Sequence, residues 1–222
     1  MLSLSIFIVK PKCLYINNSD SIINNNDNMK LELKIIDLLN RNKEKQFTMN
    51  EIAKSLNQHY SLVHRMLERI SKDKIIFKEK VGNSYICRLN KNNEKTAALL
   101  ALAEIERKEG FYNKNKEIKL ILEDLVNSIK ENAISIILFG SYAKGKQTEK
   151  SDIDILILTE KKFLIGKTLR ELYAKYGREI NPIILTLEEL KQQKDENFVK
   201  EVISNHYILY GVEIFSKEML NG

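Results

Sequence analysis

The sequence predicts an α+β chain made of two dissimilar parts, and three observations carry that expectation. From residue 30 to about 90, three apolar periodicities of helical spacing precede two short strand-like runs around Val81-Gly82-Asn83. Beyond residue 115, nearly continuous apolar stretches such as Ile134–Phe139 are interleaved with amphipathic helical patterns. The charge divides at the same border: residues 29–92 hold 14 Lys and Arg against 7 Asp and Glu, residues 93–222 hold 20 against 21. The net charge of +6 over 222 residues is therefore a basic segment on a near-neutral body, the signature of a polyanion-binding module joined to something else. With 43% hydrophobic and 30% charged residues the composition is globular. No apolar run approaches the ~20 residues of a membrane helix, so no membrane partner is expected. Cys13 and Cys87 lie far apart without CxxC spacing, which argues against a disulfide framework or zinc site and for a cytoplasmic location.

The elements follow in order. Residues 1–28 combine a short apolar stretch with an Asn/Ser tract and lack the basic start and cleavage site of a signal peptide. They are expected to be a disordered tail or a mis-assigned start, with Met29 the natural beginning. Leu31, Leu33, Ile35, Ile36, Leu38 and Leu39 predict a helix over 30–41. Thr48-Met49-Asn50-Glu51 spells a capping box that opens a second helix carrying Ile52, Ala53 and Leu56. A third, Tyr60 to Asp73, turns Val63, Met66, Leu67 and Ile70 inward and Ser61, His64, Arg65, Glu68 and Lys72 outward. Strands at 75–80 and 84–89 complete the segment.

Three helices and a hairpin in this order resemble a winged helix-turn-helix over 29–92. The resemblance implies that Ser61, His64, Arg65 and Lys72 face DNA from the third helix, with Lys78, Lys80 and Asn83 on the wing. A solvated face, or a dimerisation or protein-docking unit, is the competing reading. Next, Thr96–Lys108 is helical with Gly110 as its stop, inside a helical linker expected over 93–112. A helix from 115 to 130 opens the second domain, expected over 113–222.

The chemistry lies beyond the strand at 134–139. Asp152 and Asp154 stand two apart at the head of a second strand and so share a face. Paired carboxylates repel, and a hard divalent cation such as Mg²⁺ is the usual compensation. Gly140-x-x-x-x-Gly145-Lys146 nearly spells a phosphate loop, but Gln147 replaces the metal-binding hydroxyl and the next strand starts too soon for the required helix.

Gly140-Ser141, ten residues, then Asp152-Ile153-Asp154, with the string Leu138–Gly145, resembles the DNA polymerase β-like nucleotidyltransferase superfamily in its minimal branch. That resemblance covers about 115–215 and implies a small mixed sheet flanked by helices. It assigns Gly140, Ser141 and Lys144 to a nucleoside triphosphate, and Asp152 and Asp154 to catalysis and Mg²⁺. The family's third acid falls at Asn181; Glu179, on the same face two residues earlier, is expected to substitute. Thr186–Glu189 is a second capping box, and a closing helix is expected over 197–210, stopped by Gly211. His206 on that helix reads as a solvated or satisfied residue, outside catalysis.

The resemblance thus implies a Mg²⁺-dependent transfer of a nucleoside monophosphate, AMP from ATP, to an acceptor hydroxyl. Its partners would be a separate HEPN-type toxin or other protein acceptor, DNA through residues 29–92, and a second copy in a homodimer. The alternative is a DNA-binding regulator whose nucleotidyltransferase-like domain only senses nucleotide.

Overall fold

A computed structural model describes residues 29–42, 45–193 and 196–220; the expected tail at 1–28 lies outside the described residues. The first unit comprises α1 (Leu31–Arg41), β1 (Phe47–Thr48), α2 (Met49–Ser55), α3 (Tyr60–Lys72), β2 (Ile76–Val81) and β3 (Ser84–Leu89). Its three strands form an antiparallel sheet in the order β1-β3-β2, so the hairpin is closed by the two-residue strand that sequence reading passes over. The Thr48–Glu51 box forms as expected: Thr48 Oγ1 accepts from the Glu51 N–H at 3.3 Å, and Glu51 Oε2 accepts from the Thr48 N–H at 2.8 Å. Ile35, Ile36, Phe47, Ile52, Val63, Leu67, Ile70 and Ile76 fill the core beneath. This is the winged helix arrangement.

Helix α4 (Glu94–Lys114) runs unbroken through Gly110, past the expected stop. A glycine inside a helix costs only ~1 kcal/mol relative to alanine, and the buried Arg107, Phe111 and Tyr112 around it hold the helix on. The helix serves two cores, giving Leu100 to the first and Phe111 and Tyr112 to the second.

The second unit continues with α5 (Lys116–Ile129), β4 (Ser135–Leu138), α6 (Gly140–Ala143), β5 (Ile153–Thr159), α7 (Gly166–Tyr176), β6 (Ile180–Thr186), α8 (Leu187–Gln192), α9 (Asn197–Ser204), β7 (Tyr207–Tyr210) and α10 (Val212–Leu220). The sheet order is β6-β5-β4-β7, with β5 and β6 parallel and the remaining pairs antiparallel: a small mixed sheet flanked by helices. Alternation sends Ile136, Leu138, Ile153, Ile155 and Ile157 to the face covered by α5 and α7. Ile137, Leu156, Leu158 and Ile208 pack on the other face with Leu190, Val199, Val202 and Phe215.

The closing helix expected over 197–210 is a shorter helix followed by a strand. Asn205 leaves the helix in extended conformation, and Tyr207–Tyr210 pairs with the free edge of β4. Ser135 Oγ donates to the Tyr210 carbonyl at 2.9 Å. Phe198, Val202, Ile203, Ile208 and Leu209 fit either period, and an unpaired sheet edge decides between them, because a strand there also satisfies the edge groups of β4 that a helix would leave open. His206 is consequently fully buried.

Candidate active site

The end of β4, the turn that follows it and the head of β5 are built as one piece. The Phe139 N–H donates to the Asp154 carbonyl at 3.0 Å, after which Gly140 turns the chain with φ of +69°. A Cβ on Gly140 would lie 1.9 Å from Asp154 Oδ2, so the carboxylate occupies the space that any other residue's side chain would fill. The Ser141 N–H, second in the α6 turn, donates to Asp154. Asp152 is exposed and Asp154 half-buried on the same face.

Burial raises Asp154 above the usual carboxylate range, and the negative charges of Asp152 and Glu201 push it the same way. The Ser141 N–H and Lys144 oppose them. At Asp154, burial and like charge thus outweigh the Ser141 N–H and Lys144.

The parallel register pairs Asp154 with Asn181 on β6. Asn181 Nδ2 donates to Asp152 Oδ2 at 3.1 Å, so an amide occupies the position opposite the pair. Glu179 is exposed, and its carbonyl, rather than its carboxylate, accepts from the Ile153 N–H at 2.9 Å. Among the described residues no three Asp, Glu, His or Cys side chains converge as a metal site, Glu179 included. Two hard carboxylates that repel each other, one of them half-buried, do suit a divalent cation brought in with phosphate oxygens.

Lys144 Nζ donates to Glu201 Oε1 of α9 at 2.7 Å. Beside Asp152, the buried Tyr142 lines a cavity of about 320 Å³ shared with Gln147, Thr148, Arg178 and the start of α5.

Sequence comparison decides the family. The family model for a nucleotidyltransferase domain matches residues 116–210. A Methanocaldococcus jannaschii protein named "Putative protein adenylyltransferase" is 36% identical over 99 residues, covering 44% of this chain and 99% of that protein. This chain belongs to the nucleotidyltransferase family. Two further M. jannaschii proteins bearing the same name are 35% identical over 103 residues and 30% identical over 117 residues. They cover 44% and 47% of this chain, and 94% and 80% of their own lengths. The basic unit at 29–92 lies outside the matched nucleotidyltransferase domain.

On that unit, Ser61, Arg65 and Lys72 are exposed along the outer side of α3, and Lys80 is exposed on β2. His64 lies 3.6 Å from Glu68, and Lys78 donates to Glu68 Oε1 at 2.5 Å while resting 5.4 Å from the Tyr85 ring centroid. Lys78 therefore joins the wing to α3, and this bond draws Glu68 below the usual carboxylate range.

Sequence reading missed Glu201 beside the nucleotidyltransferase site, because its partner Lys144 lies 57 positions away and no local pattern joins them. It also missed a buried charged cluster at the back of α9. Arg41 Nε donates to Asp37 at 2.9 Å, Arg41 Nη2 to Glu104 at 3.1 Å and Arg41 Nη1 to the Ser204 carbonyl at 3.1 Å. Arg107 donates to Glu104 at 2.8 Å and to the His206 carbonyl at 2.6 Å. His206 Nδ1 faces the Val202 and Ile203 carbonyls at 2.9 and 3.1 Å, so that nitrogen carries a proton, and Nε2 lies 3.5 Å from Glu104.

Proposed function

We propose that the chain transfers AMP from ATP to a hydroxyl on a protein acceptor, with Mg²⁺ held by Asp152 and Asp154. The observation that carries this reading is the interlock of Gly140 with the Asp154 carboxylate, which sets a glycine turn against a carboxylate pair. Phosphate oxygens are bound by such turns, and carboxylate pairs hold the metal that accompanies them. The adenylyl group and the protein acceptor rest on the names of the M. jannaschii relatives.

In the reaction the acceptor oxygen bonds to the α-phosphorus, the bond from that phosphorus to the bridging oxygen breaks, and pyrophosphate leaves. Gly140 admits the triphosphate closely, the Ser141 hydroxyl and the neighbouring N–H groups hold its oxygens, and Lys144 offers charge. Asp152 and Asp154 would hold the cation, which would supply Lewis-acid charge for the phosphoryl transfer. Asn181 orients Asp152 through its amide but neither balances metal charge nor takes a proton, which predicts a slow enzyme. Any third acid would have to be Glu179 at the entry of β6, whose carboxylate does not converge on the pair.

A separate toxin of the HEPN class is the protein acceptor to try first. The test is transfer of label from α-labelled ATP with Mg²⁺ to such acceptors, beside an Asp152→Ala/Asp154→Ala protein. Transfer that disappears in the double variant is the expected result. A second reading, a DNA-binding regulator that only senses nucleotide, is favoured by Asn181 and by the exposed Ser61, Arg65, Lys72 and Lys80 with the charge of +7 over 29–92. It would be upheld by failure to label any acceptor together with tight duplex DNA binding whose log affinity falls steeply with log salt.

A further inference from the structure

Lys144 is the cation that follows the Gly140 turn, and it is already engaged. Glu201 on α9 accepts from its Nζ at 2.7 Å, and the two side chains are 34% and 44% exposed, so the pair is partly open to solvent. The same carboxylate is close enough to Asp154 for its charge to act there. The position of Glu201 is fixed from behind. Arg41 holds the Ser204 carbonyl at the end of α9, and His206 Nδ1 holds the carbonyls of Val202 and Ile203. Asp154 thus feels the charges of Asp152, Glu201 and Lys144 at a site that must accept a polyanion.

A carboxylate bonded to a lysine ammonium presents the same kind of oxyanion as a phosphate. We propose that Glu201 is a resident counter-ion that occupies Lys144 in place of a phosphate of the incoming triphosphate and must release it when nucleotide binds. The inference rests on the reading that Gly140, Ser141 and Lys144 receive a triphosphate. Glu201 then sets nucleotide affinity twice over, by competing for Lys144 and by repelling the phosphates. Because the pair is exposed and screened, the effect is modest, about three- to tenfold in affinity.

The test is calorimetric titration of the full chain with α,β-methylene ATP and Mg²⁺, for the wild type, Glu201→Gln, Lys144→Ala and the double variant. Glu201→Gln is expected to tighten binding about three- to tenfold, and Lys144→Ala to weaken it. In the Lys144→Ala background the gain from Glu201→Gln should shrink, because competition for the lysine is gone. The melting temperature of each variant is followed alongside. Unchanged or weaker affinity in Glu201→Gln, with or without a fall in melting temperature, overturns the proposal and leaves Glu201 as a surface ion pair. So does a gain equally large without Lys144. Should the wild type bind no nucleotide at all, the triphosphate reading itself falls and takes this inference with it; nucleotide binding by the wild type with an inert Glu201→Gln removes the counter-ion alone.

Discussion

Asp154 shows how one residue is set against the stability of its own fold. Burial, Asp152 and Glu201 all favour its protonated form, so in the native state it binds a proton more readily than in the unfolded chain. For an acid raised in this way, ionisation costs stability. The cost is fully present above the raised native pKa and vanishes as pH falls below the unfolded value. Asp154→Asn is therefore expected to melt at a higher temperature than the wild type at pH 7, with the two curves converging as the pH is lowered through the carboxylate range. Mg²⁺ added with nucleotide should narrow the difference at pH 7 by compensating the wild-type charge, while transfer activity in the variant drops by about 100-fold or more. A variant less stable than wild type at pH 7 would contradict the sign. Asp154 was legible in the sequence because two carboxylates two apart need no tertiary knowledge to be placed on one face. The charge of Glu201 was not, since it reaches Asp154 from 47 positions along the chain.

Between elements, the edge of the sheet did what local pattern could not. Residues 197–210 carry apolar spacing compatible with a helix, yet the chain breaks at Asn205 because β4 offers an unpaired row of N–H and C=O groups. Gly211 closes that pairing: it has φ of +69°, and a Cβ there would lie 1.9 Å from the Ile134 carbonyl oxygen. Gly211→Ala is accordingly expected to cost about 2–4 kcal/mol, from backbone strain plus a displaced edge strand. Urea unfolding followed by circular dichroism measures it, and a loss under ~0.5 kcal/mol, the range of neutral surface changes, would show that β7 does not depend on this turn. Both capping boxes, Thr48–Glu51 and Thr186–Glu189, form as the sequence predicts, because each is complete within four residues. The stop at Gly110 failed for the opposite reason: burial of Arg107, Phe111 and Tyr112, contributed by distant partners, outweighs a single glycine.

Across the whole molecule, the two units are joined by charge as well as by α4. Glu104 lies at the junction, accepting from Arg41 of α1 and Arg107 of its own helix, with the His206 ring at 3.5 Å; its side chain is 2% exposed. Phe111 stacks on Tyr207 at 4.5 Å beside this cluster, and Arg107 lies over the same ring. Removing the carboxylate charge leaves two buried guanidinium groups with Asp37 as their remaining acid. Glu104→Gln is expected to destabilise the fold by about 3 kcal/mol, as breaking a buried pair does. The readout is the denaturation midpoint, with separate probes for the helical N-terminal unit and the sheet. A single cooperative transition that moves as one would mark the units as coupled. A shift smaller than ~1 kcal/mol, the worth of an exposed pair, would show the cluster to be solvated.

The sequence by itself determined the α+β class, the order of helices and hairpin, the concentration of basic charge in 29–92, and the glycine turn with its carboxylate pair. These are patterns of composition and local spacing, read along the chain without knowledge of distant contacts. Only the tertiary structure decided that Asn181 faces Asp152, that Glu201 meets Lys144, that Tyr207–Tyr210 is a strand, and that Arg41 of the winged helix caps α9 of the nucleotidyltransferase domain. Those contacts join residues 29 to 163 positions apart, and no periodicity within one segment records which distant group will supply its partner.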